Sequence, residues 1–266
     1  MKTLILSPRY TEDSISLSNA AVESGWMVER LTSWRAPYYL KNTDVALYGE
    51  SLFGAVVAEE LGLYLLEPKF EWLTKVPSEY KLREVRFSTL AEARKLTQKA
   101  FIKPADDKHF KAAIYEVGTD LPSEETLPGT IPILISEPVE WGIEFRFFVL
   151  NNHIETFSPY SRYGEVIMTK DGEWLASEPE TDKAIKFCQE LLQAVGENIP
   201  PSVVIDVGEI EGKGWAVVEA NSSWASGIYG CNPLNVLKVI ARACLPKDRI
   251  DIKDRQWVIN REHYSS

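Results

Sequence analysis

The period of apolar positions changes several times along this chain. Leu4-Ile5-Leu6 is a short continuous run of the kind a buried strand makes. Residues 14–24 then return apolar side chains at helical spacing, with Ile15, Ala21 and Val22 on the expected inner side and Gly25 as the stop. Residues 26–31 and 44–48 predict further strands, 52–61 a helix and 63–66 another strand. Strands alternating with helices predict an α/β unit with a mostly parallel sheet, ending at Glu67-Pro68. Residues 70–95 are rich in charge and predict a helical linker. From 99 to 221 the pattern is that of strands, broken by a polar loop over 119–130 and a helix over about 180–195. A last helix is predicted over about 233–244, and the tail from 248 is weakly patterned. These changes place one domain boundary near residue 75 and a division within residues 76–266 near 140, giving subdomains of about 76–140 and 141–246 plus a tail. No internal repeat or low-complexity segment interrupts them.

Alternation within the strand-rich body selects the polar residues that matter. Val203 to Gly208 and Trp215 to Asn221 read as a hairpin turning at Glu211-Gly212-Lys213-Gly214. Side chains two apart on a strand share a face, so Glu219 and Asn221 point one way and Ala220 the other. A hairpin can bring Asp206 onto the same face. Two carboxylates and an amide oxygen on a rigid sheet suit Mg²⁺, which takes one or two carboxylates plus substrate phosphates. Any one of these acids alone would more simply face water. Phe101-Ile102-Lys103-Pro104 is an apolar strand that ends at proline, with Lys103 at its tip. A strand-end lysine is usually solvated, but it can also reach a phosphate as a point charge. Lys108 and Lys111 follow as a small local basic cluster. The strand Ile133 to Ser136 runs into Glu137-Pro138-Val139, where proline is expected to free backbone groups near Glu137 and Val139 for an adenine edge. Beyond it, Glu144 and Arg146 share a face. They fit either a solvent-face ion pair or contacts to ribose hydroxyls and to phosphate or carboxylate.

Composition narrows the field. The 266 residues are 45% hydrophobic and 26% charged, ordinary for a soluble globular protein, with length for one large or two modest domains. A formal net charge of −10 argues against nucleic acid and against an anionic membrane surface as partner. Cys188, Cys231 and Cys244 are odd in number and show no Cys-x-x-Cys spacing, which argues for a reducing compartment. His109, His153 and His263 show no zinc spacing. The apolar start is too short for a signal peptide, and no run approaches membrane-spanning length, so a cytoplasmic location is expected. Phosphate-loop, dinucleotide, zinc-protease and serine-elbow motifs are all missing.

The order of strand lysine, hinge glutamate, a second glutamate seven residues on, an aspartate and then Glu-x-Asn resembles the ATP-grasp superfamily. Its members include D-alanine–D-alanine ligase, glutathione synthetase and biotin carboxylase. More narrowly, four segments resemble its R2K clade. They are Phe101 to Lys108, Glu144 to Val149, Ser158 to Arg162 and Glu219 to Gly227. The resemblance spans roughly residues 1–245. It implies a mixed α/β and α+β fold, with two subdomains clasping ATP behind an N-terminal α/β (pre-ATP-grasp) domain. Carried onto this chain, Lys103 contacts the ATP phosphates, Glu137 and Val139 lie at the adenine hinge, and Glu144 binds ribose. Asp206, Glu219 and Asn221 hold Mg²⁺. Two departures stand out. No glycine occurs in residues 104–112, so Lys108 and Lys111 stand in for the backbone amides of a glycine-rich loop. Val204 occupies a position where many ligases carry an arginine, and Arg146 supplies that charge. Arg146 and Lys108 are therefore the expected catalytic residues.

The activity implied is an ADP-forming carboxylate–amine ligase acting through an acylphosphate on small-molecule carboxylate and amine substrates. The acceptor pocket is expected along Ser222 to Tyr229, with Tyr160 and Arg162 as further candidates. A small-molecule kinase on the same fold, and a nucleotide-binding module without catalysis, are the two alternatives.

Overall fold

A computed structural model describes residues 1–41, 43–106 and 109–259. The N-terminal elements are β1 (Thr3–Leu6), α1 (Glu12–Glu23), β2 (Met27–Arg30), β3 (Val45–Tyr48), α2 (Ser51–Leu61) and β4 (Leu63–Leu65). Strands β2-β1-β3 form a parallel sheet. Its central strand β1 is buried throughout, which is why Leu4-Ile5-Leu6 reads as an unbroken apolar run. The inner face of α1 differs from the predicted one. Ser14, Leu17, Ala20 and Ala21 are buried, whereas Ile15 and Val22 are exposed. Ser14 closes a capping box with Thr11 and takes a bond from Arg30, and this fixes the rotation of the helix. Gly25 ends it with φ 72°, as expected.

The predicted helical linker proved to be four elements: α3 (Trp72–Lys75), α4 (Ser78–Lys81), β5 (Val85–Thr89) and α5 (Leu90–Ala93). The strand in it, β5, joins β6 (Ala100–Pro104), β7 (Ala113–Tyr115) and β8 (Pro132–Ser136) in an antiparallel sheet of order β5-β8-β6-β7. Its charged residues hid a strand because β5 is an edge whose side chains are largely exposed.

The larger sheet, order β11-β10-β9-β12-β13, is also antiparallel. Its strands are β9 (Trp141–Leu150), β10 (His153–Arg162), β11 (Glu165–Val166), β12 (Ser202–Ile210) and β13 (Gly214–Asn221), and α6 (Glu178–Val195) lies over one face. Phe145, Phe147, Val203, Ile205 and Val207 pack against Leu191 and the other apolar residues of α6. The alternate residues Phe148 and Val204 join the N-terminal core on the opposite side. That core also takes in α7 (Pro233–Ala243) and Cys244 of β14 (Cys244–Pro246). Strand β14 pairs with β4, which therefore lies outside the parallel sheet predicted for it. A short α8 (Ile252–Arg255) follows, where Asp254 accepts from Arg242 and the carbonyl of buried Trp257 accepts from the Glu67 amide.

Candidate functional site

Period-two alternation on β9 and β12 carries Glu144, Arg146, Asp206 and Gly208 to the face opposite α6, in register Arg146↔Asp206 and Glu144↔Gly208. Strand β13 needs one further device. Val217 packs in the α6 core, yet Glu219, two residues on, faces the site. A β-bulge between the Asp206↔Glu219 and Val207↔Val217 pairs inserts Val218 and reverses the phase. The Arg83 guanidinium holds this stretch by donating to the carbonyls of Val217 at 2.7 Å and Val218 at 2.9 Å while lying over the Trp141 ring. Arg83 was not predicted. It sits in the presumed linker, and nothing local in the sequence marks it.

The acids converge as the spacing suggested, and each already has a partner. Arg146 donates from Nε to Asp206 Oδ1 at 2.9 Å and from Nη2 to Oδ2 at 2.7 Å, both groups being buried. Nη1 donates to the Gly227 carbonyl at 3.0 Å. Burial works against charge on both members. The fork geometry outweighs it for Arg146, whose guanidinium is held above its ordinary range by Asp206. Burial raises Asp206, against the pull of Arg146, and the bidentate bond favours the ionised pair. Lys103, from the tip of β6, crosses to Glu219 Oε2. Asn221 Nδ2 donates to Glu219 Oε1 at 2.7 Å and, more loosely, to Asp206 Oδ2 at 3.4 Å. Burial pushes Glu219 up, but Lys103 and Asn221 more than offset it and hold the carboxyl at about 2.

This ledge borders a cavity of about 1080 Å³ lying between the four-stranded sheet, the larger sheet and the N-terminal unit. Lys103, Lys111, Arg146, Glu219 and Asn221 line it, as do Ser222, Ser226, Gly227 and Tyr229 of the loop expected to form the acceptor pocket. Phe70, Trp72 and Leu73 supply an apolar wall that was not predicted, because their segment read as linker. Tyr229 takes φ 48°, stacks on Tyr160 at 4.9 Å and lies with it against Arg146.

Other expected residues stand elsewhere. Glu144 is buried and accepts from the Tyr160 hydroxyl at 2.8 Å; it makes no solvent-face pair with Arg146 and is not part of the cavity wall. Burial raises its carboxyl, partly countered by Tyr160. Glu137 and Val139 are likewise outside the wall. Glu137 is exposed in an ion pair with Lys213 at 2.7 Å, and its amide, expected to be free, donates to Glu84 O. Proline did end the ladder, but the carbonyl of Glu84, just before β5, takes up that amide. Arg162 is held by Glu180 at the start of α6 and does not line the cavity. Lys108 lies outside the described residues.

The donor set fits a small hard cation: two acids and an amide meet at one point, with Glu219 held strongly ionised. Among the described residues no group of three or more His, Cys, Asp or Glu could hold a metal. An ion here therefore needs the Asn221 oxygen, after rotation of its amide, and ligand oxygens from elsewhere.

An N-terminal parallel sheet followed by two antiparallel sheets closing on a lysine–acid ledge defines an ATP-grasp protein. The pattern described as "ATP-grasp domain, R2K clade family 2" matches residues 80–239, more than half of the chain, and the chain belongs to that family. The family typically binds ATP with Mg²⁺. No curated protein matches the chain in sequence. A RimK-domain ATP-grasp protein from Sphaerobacter thermophilus is similar in fold, with TM-score 0.56 and 15% identity, over 91% of this chain and 98% of that one. The L-amino acid ligase of Bacillus licheniformis gives 0.53 and 14%, over 94% and 76%. The D-alanine–D-alanine ligase of Bacillus anthracis, solved with ATP, gives 0.51 and 14%, over 91% and 97%. At such identities the likeness is one of fold. No helix among the described residues is long and apolar enough to cross a membrane.

Proposed function

We propose that this protein binds Mg-ATP in the cavity and acts as an ADP-forming carboxylate–amine ligase. One observation carries the reading: Lys103 from one sheet meets Glu219 from the other at a ledge that also holds Asp206, Arg146 and Asn221. Lys103 is the phosphate contact. Of the five N–H donors of a guanidinium, Arg146 spends three on Asp206 and Gly227 and keeps the rest for the cavity it lines. Glu219 and Asn221, backed by Asp206, would hold the Mg²⁺, which neutralises phosphate charge when bound. The γ-phosphoryl passes to a substrate carboxylate. The acylphosphate formed loses phosphate when an amine attacks its carbonyl. Fixed charges aimed at the transferring group, with water kept out by the apolar wall, are this chain's contribution.

Glu137, Val139 and Glu144 remain our proposal for the hinge and ribose contacts. Ser222 to Tyr229 would receive the carboxylate. Two neighbours of the same fold are ligases by name, which supports the reaction class.

The test is release of ADP by purified protein over a panel of amino acids and small carboxylates with amines, read with mass spectrometry of products. We expect ADP together with an amide or peptide. A phosphorylated product needing no amine would make the protein a kinase. ATP binding with no turnover across the panel would make it a non-catalytic module.

A further inference from the structure

Every carboxylate oxygen on the ledge already accepts an N–H from the chain itself. Asp206 gives both oxygens to Arg146, and Glu219 gives one to Asn221 and one to Lys103. The two acids are matched by two cations, so the ledge attracts a further cation weakly. Of these partners, Arg146 is buried and held on three sides, by Asp206, by Gly227 O and by the Tyr160 and Tyr229 rings. Lys103 is different. It belongs to the other sheet, sits at a strand tip where Pro104 ends the ladder, and keeps a fifth of its side chain exposed to the cavity. Of the two cations described on the ledge, it is the one with a path to leave.

We propose that the Lys103–Glu219 pair is a latch that bars a divalent cation from the nucleotide-free chain and opens only when incoming phosphates draw Lys103 away. This rests on the Mg-ATP reading above. A cation arriving alone must displace the ammonium and leave it half-buried without a partner, which costs more than one carboxylate returns. A cation arriving with nucleotide brings the phosphate oxygens that Lys103 moves to. The exchange keeps every charge paired: ammonium passes from carboxylate to phosphate, and carboxylate from ammonium to metal. The metal would therefore enter as the nucleotide complex and leave with it.

Equilibrium dialysis of the full chain against MnCl₂ tests this, alone and with ATP. The parent should bind no measurable Mn²⁺ up to about 1 mM without ATP, and bind it readily with ATP. Lys103→Met, which keeps the length and removes the charge, should bind Mn²⁺ alone at least about tenfold more tightly than the parent. Adding Glu219→Gln to that variant should abolish the gain. Lys103→Gln is the second variant, and circular dichroism checks that each is folded. Tight Mn²⁺ binding by the parent without ATP would overturn the latch while leaving the Mg-ATP reading standing. So would folded Lys103→Met and Lys103→Gln that both bind Mn²⁺ no better than the parent. Failure to bind ATP with Mn²⁺ present would overturn the Mg-ATP reading, and the latch with it.

Discussion

Arg146 shares a largely apolar strand with Glu144, and its neighbours explain why it can be there. Asp206 takes two of its donors and the Gly227 carbonyl a third. A lysine in its place keeps the charge but loses the planar fork. If, as proposed above, the remaining donors of Arg146 act on charge that develops in the transition state, Arg146→Lys should lower kcat at least about tenfold while changing the KM for ATP little. Steady-state kinetics on the first substrate found by ADP release will check this; an unchanged kcat would remove Arg146 from the catalytic set. Glu219→Gln preserves shape and removes the charge proposed above to hold Mg²⁺. Turnover should fall at least about 100-fold with the far-ultraviolet circular dichroism unchanged. Both residues were legible in the sequence because strand alternation names the face. Their partners were not, since Arg146 and Asp206 are sixty positions apart and only the β9–β12 register brings them together.

At the scale of elements, two close fits hold the site's frame. The first is where α2 crosses Trp224, which follows the ledge in sequence. A Cβ on Gly54 would fall 2.2 Å from the Trp224 ring, and Trp224 is completely buried. Gly54→Ala should cost about 1–3 kcal/mol through overpacking, measured by urea denaturation, and an unaffected midpoint would mean that the ring can yield. The second is the start of α6. Ser177 and Glu180 form a capping box, and Glu180 also receives the Arg162 fork. Ser177→Ala should cost about 1 kcal/mol in the same measurement. The pattern of apolar residues foretold α6 and α2 nearly to their ends, since α6 is long and amphipathic enough to show its period and α2 is an apolar run that Gly62 stops in the left-handed conformation. It missed β5 and the bulge at Val218. An exposed edge strand has no apolar alternation to display, and a bulge leaves a sequence that still alternates.

For the molecule as a whole, the two strongly depressed acids set a pH response. Glu219 is held at about 2 against burial by Lys103 and Asn221, and Glu180 at about 2 by Arg162 and the Ser177 cap, from an ordinary 4.5. A carboxyl whose folded value lies below its unfolded one binds protons more readily when unfolded. Its contribution is complete above the unfolded value and is lost as pH falls through the folded one. The thermal midpoint should thus fall from about pH 4.5 toward pH 2, and Glu219→Gln should make that fall shallower. Melts followed by circular dichroism across this range decide it; a parent and variant with the same acid slope would mean that Glu219 is not held by its partners.

Local sequence by itself singled out the polar residues that the structure brings together at the ledge. A strand's period of two, a proline that ends a ladder and a Glu-x-Asn pair are properties of adjacent positions, and they sufficed to single out Lys103, Arg146, Asp206, Glu219 and Asn221. Tertiary structure alone decided who neutralises whom. Lys103 faces Glu219 because two separate sheets close on one cavity, and the phase of Glu219 depends on a bulge beside the carbonyls that Arg83 holds from a segment more than a hundred residues away. Such pairings are set by register and by the closing of the sheets on one another, and these depend on the packing of both cores together rather than on any one stretch of chain.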